Sequence, residues 1–182
     1  MRNLVLVLGD QLDSVSIAFD GFNSSEDAVL MIEAAGEASH VWSHKARIVL
    51  FLSAMRHHAE EARKRGLPLY YVRLDAADDT LASRLELKLA RRRSRKMILA
   101  EPGEYRVLRD IKSACRKAEI PLAVRDNYQF FISVAEFRSW AGNRKEFRME
   151  RFYSFMHRKS GVLVNAQGPE GGRWNFDAEN RA

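Results

Sequence analysis

Cysteine is almost missing from this chain, with Cys115 standing alone among 182 residues. One thiol cannot close an internal disulfide, complete a cysteine zinc site or hold an iron–sulfur cluster by itself, and its isolation fits a reducing compartment. A cytoplasmic location is therefore expected. Long hydrophobic runs are missing too. Leu4 to Leu8, the longest early one, gives way at once to Gly9-Asp10-Gln11, far short of a membrane span and without a signal-peptide layout. Neither Gly-x-Gly-x-x-Gly nor a Walker lysine occurs, which argues against an ordinary dinucleotide or nucleoside triphosphate site. Internal repeats and low-complexity tracts are also absent.

What is present suits one globular domain plus an appendage. Hydrophobic residues make up 46% and charged residues 30%, enough for a sizeable core, and the net charge of +6 modestly favours anionic partners. Leu4 to Leu8 and Ala28 to Ile32 are unbroken apolar runs, the pattern of strands buried on both faces of a parallel sheet. Helical periodicity follows over about 43–65, stopped by Gly66-Leu67-Pro68 before a strand at Leu69 to Leu74. From Asp78, a plausible cap, Leu81, Leu85 and Leu89 share a helical face ahead of a strand at Met97 to Ala100. Leu108, Ile111, Cys115 and Ala118 repeat the scheme before a strand at Leu122 to Val124, which places Cys115 in a helix–sheet interface. The alternation predicts an α/β fold, doubly wound, with a five-stranded parallel sheet flanked by helices over residues 1–126. Residues 127–182 form a helical and linker extension in which aromatics interleave with basic residues. Its last stretch, Gly171 to Arg181, lacks apolar periodicity and reads as a connector to a further domain.

Ligands of open α/β sheets bind beyond the carboxyl ends of the strands, where strand order reverses. Two loops qualify. Gly9-Asp10-Gln11 follows the first strand and offers close backbone approach, an acceptor and an amide. Glu33-Ala34-Ala35-Gly36-Glu37 follows the second and sets two carboxylates beside small residues. Together they suit a polar heterocycle; alternatively Asp10 caps a following helix, and Glu33 and Glu37 are simply solvated. Glu37, His40 and His44 could share a helix face as metal ligands, but His-Glu-x-x-His is absent, and interface or surface roles fit these histidines better. Arg91 to Lys96 looks like a nucleic-acid patch, but it sits where a helix ends and complements its dipole. Arg144, Arg148 and Arg151, with Phe152 and Phe155 close behind, could meet nucleic-acid phosphates and rings, or form an interface helix.

The opening Leu-Val-Leu-Val-Leu-Gly-Asp-Gln-Leu, then Glu37-Ala38-Ser39, Phe51-Leu52-Ser53-Ala54-Met55-Arg56-His57 and Glu101-Pro102-Gly103-Glu104, and above all Gly171 to Arg181, carry a resemblance. In order along the chain they resemble the N-terminal part of bacterial deoxyribodipyrimidine photolyase-related proteins, the iron–sulfur branch of the cryptochrome/photolyase family. The resemblance implies a Rossmann-like antenna domain carrying 6,7-dimethyl-8-ribityllumazine. It also implies a larger domain, absent from this chain, that holds FAD and a 4Fe-4S cluster and repairs (6-4) photoproducts in DNA by light. The matching chromophore residues are Gly9, Asp10, Gln11 and Glu37, with Glu33 and Ala34 beside them. On this reading the partners are the chain's own C-terminal FAD domain and, through the full-length protein, damaged DNA, with no membrane. The chain alone is not expected to repair DNA. Two alternatives stand beside it: an α/β enzyme acting on a small nucleotide-like substrate with Glu33 and Glu37 as acid and base, and a basic DNA-binding module.

Overall fold

In the computed structural model of the chain, the residues described are 1–35, 43–75, 80–91 and 94–174. They fall into two compact units, residues 1–127 and 128–182. The first holds five strands, β1 (Asn3–Val7), β2 (Ala28–Ile32), β3 (Leu69–Val72), β4 (Lys96–Ala100) and β5 (Leu122–Arg125). Between them lie the helices α1 (Lys45–Lys64), α2 (Leu81–Arg91) and α3 (Tyr105–Lys117). Every pairing is parallel and the order is β3-β2-β1-β4-β5, the doubly wound α/β topology that the alternation predicts. Strand order reverses at β1, whose neighbours are β2 and β4, so the crevice for a ligand opens at their carboxyl ends.

Strand alternation sorts the core into two layers. On one face Leu4, Leu6, Leu30 and Met97 pack with Leu85 and Leu89 of α2 and Ile111, Ala114 and Cys115 of α3. On the other, Val5, Val7, Val29, Met31 and Ile98 meet Met55 and Ala59 of α1. Both faces of β1 and β2 are therefore dry, which is why these strands are uninterrupted runs of apolar residues. Cys115 is buried with its sulfur 3.5 Å from that of Met97, and burial pushes its thiol up to about 11. It is an inert packing group in the interface that its helical spacing predicts.

Element ends follow local hydrogen bonds. The helix expected from residue 43 begins at Lys45, because His44 caps it by accepting from the Ala46 amide at 3.2 Å. The third strand ends at Val72, short of the expected Leu74, because the Leu74 amide turns to the Glu33 carboxylate instead of a neighbouring strand. Thr80 and Ser83 exchange amide-to-hydroxyl bonds of 3.1 Å at the start of α2; Asp78, the cap expected there, lies outside the described residues. At the other end of the sheet, buried Asp27 accepts from the Arg2 guanidinium and the amides of Asn3 and Asn23, pinning the strand entries.

The second unit is a helical pair, α4 (Val134–Ala141) and α5 (Met149–Ser160), followed by a short antiparallel ribbon of β6 (Val164–Asn165) and β7 (Gly168–Pro169). A reciprocal Ser133–Glu136 capping box starts α4 and Gly161 in the left-handed region ends α5. Its centre is Trp140, buried among Phe147, Phe152 and Phe155 at ring separations of 4.9–6.3 Å. Among the described residues no helix is long and apolar enough to cross a membrane.

Ile111 sits fully buried between α3 and the sheet. Ile111→Ala is expected to lower stability by about 2–5 kcal/mol, read as a lower urea midpoint at constant slope. A loss below about 1 kcal/mol would show that the interface closes around the missing atoms.

Candidate functional site

Beyond the carboxyl ends of β1, β2 and β4 lies a cavity of about 310 Å³. Gly9, Asp10 and Ala34, three of the residues singled out from the sequence, line it. Gly9 leaves room that two side chains of α1 occupy. A Cβ at this position would lie 2.5 Å from two ring carbons of Phe51 and 2.8 Å from the Met55 sulfur. The close approach lets the end of β1 pass directly beneath α1, so Phe51 and Met55, one helical turn apart, become one wall of the cavity. Ile32, Ala34, Leu74 and Leu81 complete an apolar interior, and the small side chains of Ala34 and Ala35 keep it open.

The rim is polar. Asp10 is exposed at the mouth, and no α-helix follows for it to cap: the chain runs on to a 3-10 turn at Ile17–Phe19 whose N-cap is Ser16. Partial desolvation on the cavity side, with the nearby Glu104 carboxylate, pushes the Asp10 carboxyl up, against the opposing pull of its own backbone amide. Glu104 is itself bridged by Arg106 at 2.8 Å. Arg47, from the first turn of α1, supplies a cation on the same lining.

Gln11 and Glu33 stand behind the cavity and shape it. Gln11 is buried, and its side-chain amide donates to the carbonyls of Ala100 and Glu101 at 3.2 and 3.1 Å, tying the loop after β1 to the end of β4. Glu33 is 1% exposed and its carboxylate collects four hydrogen bonds. Arg56 grips both oxygens at 2.8 and 3.0 Å, the Tyr71 hydroxyl donates at 2.5 Å and the Leu74 amide at 2.7 Å. Burial alone would push this carboxyl up, but the donors and the Arg56 charge together outweigh it and hold it down at about 2. All four lone-pair positions are taken, so Glu33 is neither solvated nor available to move a proton. Glu37 and His40 lie outside the described residues, and His44 serves as the α1 cap.

Phe51, Met55, Arg47, Leu74 and Glu104 are lining residues that spacing did not single out. One signal was present: Ile48 to Leu52 is an apolar run too long for one face of an amphipathic helix, and Val49, Leu50 and Phe51 remain exposed. In the second unit Arg144 and Arg151 line a common open groove, joined by Arg158. Arg148 does not line it and instead pairs with Glu146 at 3.0 Å.

The fold and cavity define the first unit as a doubly wound α/β domain with a cavity at its topological switch point. Residues 5–182 match the family model described as deoxyribodipyrimidine photo-lyase-related protein, and the chain belongs to that family. It is 43% identical over 183 residues to a protein of Agrobacterium fabrum (strain C58 / ATCC 33970) named (6-4) photolyase, an alignment covering 100% of this chain and 36% of that relative. The chain thus spans little more than a third of the relative's length and corresponds to its N-terminal part.

Glu33→Gln replaces two acceptors with one acceptor and an amide that faces donors. It is expected to cost about 2–4 kcal/mol near neutral pH, less than a fully buried pair because Arg56 can turn to water. The folded carboxyl titrates at about 2 against an ordinary 4.5, so the stabilisation is complete above that ordinary value and fades as pH falls toward 2. Urea titrations of both proteins from pH 7 to pH 2.5 should show the gap narrowing with acid. A gap independent of pH would remove the charge from the account.

Proposed function

We propose that the first unit is the antenna domain of a photolyase-related protein and that its cavity holds 6,7-dimethyl-8-ribityllumazine. The observation that carries this reading is the cavity itself, apolar inside, polar at the mouth and placed at the strand-order reversal. Its volume, about 310 Å³, lies at the small end of the ~300–1,000 Å³ range of small-molecule sites and suits a single bicyclic heterocycle. Phe51, Met55 and Ile32 offer flat and polarisable surfaces for the rings, while Asp10, Arg47 and Glu104 offer acceptors and donors to ring edges or ribityl hydroxyls. Glu37 is assigned as a further acceptor on the family resemblance. Gln11 and Glu33 act one layer back, holding the loops and α1 in place.

The chromophore, when bound, supplies absorption of light and transfer of excitation to a flavin. This chain's own residues bind it, orient it and exclude water from its rings. Repair of (6-4) photoproducts is assigned to the full-length protein, with FAD and the 4Fe-4S cluster in its C-terminal domain. The single cysteine agrees with that division, since a cluster needs several thiolates. The rival reading, an enzyme using Glu33 and Glu37 as acid and base, loses its first member to the hydrogen bonds that saturate Glu33.

Titration of the purified chain with 6,7-dimethyl-8-ribityllumazine, followed by absorbance and fluorescence, is expected to show saturable one-to-one binding. Gly9→Ala drives a methyl against Phe51 and is expected to weaken binding by about tenfold or more, while costing about 1–3 kcal/mol of stability. Glu37→Ala is expected to weaken it as well. Binding unchanged by Gly9→Ala would place the chromophore elsewhere, and no binding to the unaltered chain would overturn the autonomous antenna module.

A further inference from the structure

We infer that Phe51 limits the cavity to a two-ring heterocycle and keeps out the three-ring isoalloxazine of a flavin. The inference rests on the chromophore reading and adds to it the residue that sets ring size.

The two ligands to be told apart are close chemical relatives. Riboflavin and 6,7-dimethyl-8-ribityllumazine share a pyrimidinedione edge and a ribityl chain, and both are neutral; riboflavin differs by one further fused ring. Asp10, Arg47 and Glu104 at the mouth, which meet polar edges and hydroxyls, would serve either ligand. Discrimination therefore has to come from shape. It matters because an antenna must absorb at higher energy than the flavin it feeds, and an isoalloxazine in the site would carry the acceptor's own ring.

The apolar walls of the cavity are of two kinds. Leu8, Ile32, Leu81 and Val107 are buried members of the core layer shared by the sheet, α2 and α3, and cannot give way without repacking it. Phe51 belongs to α1 and is 42% exposed, so its identity can change while that core stays as it is. The tip of its ring lies against the backbone of Gly9, close enough that a Cβ there would meet two ring carbons at 2.5 Å. The bare backbone at Gly9 is a floor on which a further ring could lie, and a phenyl ring already occupies it. That phenyl is comparable in size to the ring by which riboflavin exceeds the lumazine. With about 310 Å³ available, a bicyclic system is accommodated and a third ring meets Phe51. Turning Phe51 outward would give more of its ring to water and empty the space over Gly9, which favours the closed position.

The test is equilibrium binding of riboflavin and of 6,7-dimethyl-8-ribityllumazine, each by itself, to the full chain and its variants. The unaltered chain should bind the lumazine about tenfold or more tighter than riboflavin. Phe51→Ala clears the floor at Gly9 and should move that ratio toward riboflavin by about tenfold or more, with riboflavin binding tighter than before and lumazine weaker. Phe51→Leu, which keeps part of the bulk, should fall between the two. Ile48→Ala, which trims a lining side chain of the same helix away from Gly9, should weaken both ligands alike and leave the ratio unchanged. Equal affinity of the unaltered chain for both ligands would overturn the filter and leave the chromophore reading intact, and so would a ratio that Phe51→Ala does not move. An equal shift in Ile48→Ala would reduce the effect to a loosened cavity and overturn the assignment to Phe51. Lack of lumazine binding by the unaltered chain is a separate outcome, which removes the chromophore reading and this inference with it.

Discussion

The carboxylate of Glu33 is the interaction on which the candidate site depends. It sits at the end of β2, where the strand leaves the core, and it is buried with both oxygens doubly hydrogen-bonded. Arg56 brings α1 to it, Tyr71 brings β3, and Leu74 brings the loop after β3. Two separate stretches of chain, α1 and residues 71–74, are thus fixed to the end of β2 just behind the cavity. An isolated buried carboxylate would be costly, and one supplied with four donors is held rigid, because any displacement leaves a donor or an acceptor unpaired. The wall formed by Phe51 and Met55 belongs to the same helix as Arg56, so the clamp also sets how far α1 stands from the sheet.

Much of the first unit was legible in its sequence, for a physical reason. Strands dry on both faces must be apolar throughout, and β1 and β2 are. Helices covering such a sheet must carry one apolar stripe, and the Leu81, Leu85, Leu89 and Ile111, Cys115 series show it. The position of the cavity was legible as well, since the reversal of strand order opens a crevice at the strand ends. The division of labour within it was not. Glu33 and Gln11 looked like ligand groups because they are polar residues in the right loops. Their true partners lie 23 to 90 residues away, at Arg56, Tyr71 and Glu101, and no local spacing encodes such pairings.

The second unit shows the same limit from the opposite side. Its mixture of aromatic and basic residues reads equally well as a nucleic-acid surface or as an interface, because sequence does not say which rings face inward. The structure gathers some rings around Trp140 and leaves others, among them Tyr128, Phe130, Phe131 and Tyr153, exposed. Trp140, Phe147, Phe152 and Phe155 pack on one another, and the arginines ring that cluster from outside. Arg148, the middle member of the Arg144, Arg148, Arg151 series, leaves the groove because Glu146 is two residues away and takes it.

The mouth of the cavity carries both signs of charge, with Asp10, Glu104 and Arg47 on one lining. At the cavity mouth Asp10 is pushed up chiefly by desolvation and to a smaller extent by the Glu104 carboxylate, so an anion placed beside these two groups would add repulsion. A neutral heterocycle with hydroxyl groups pays no such penalty and gains acceptors for its donors.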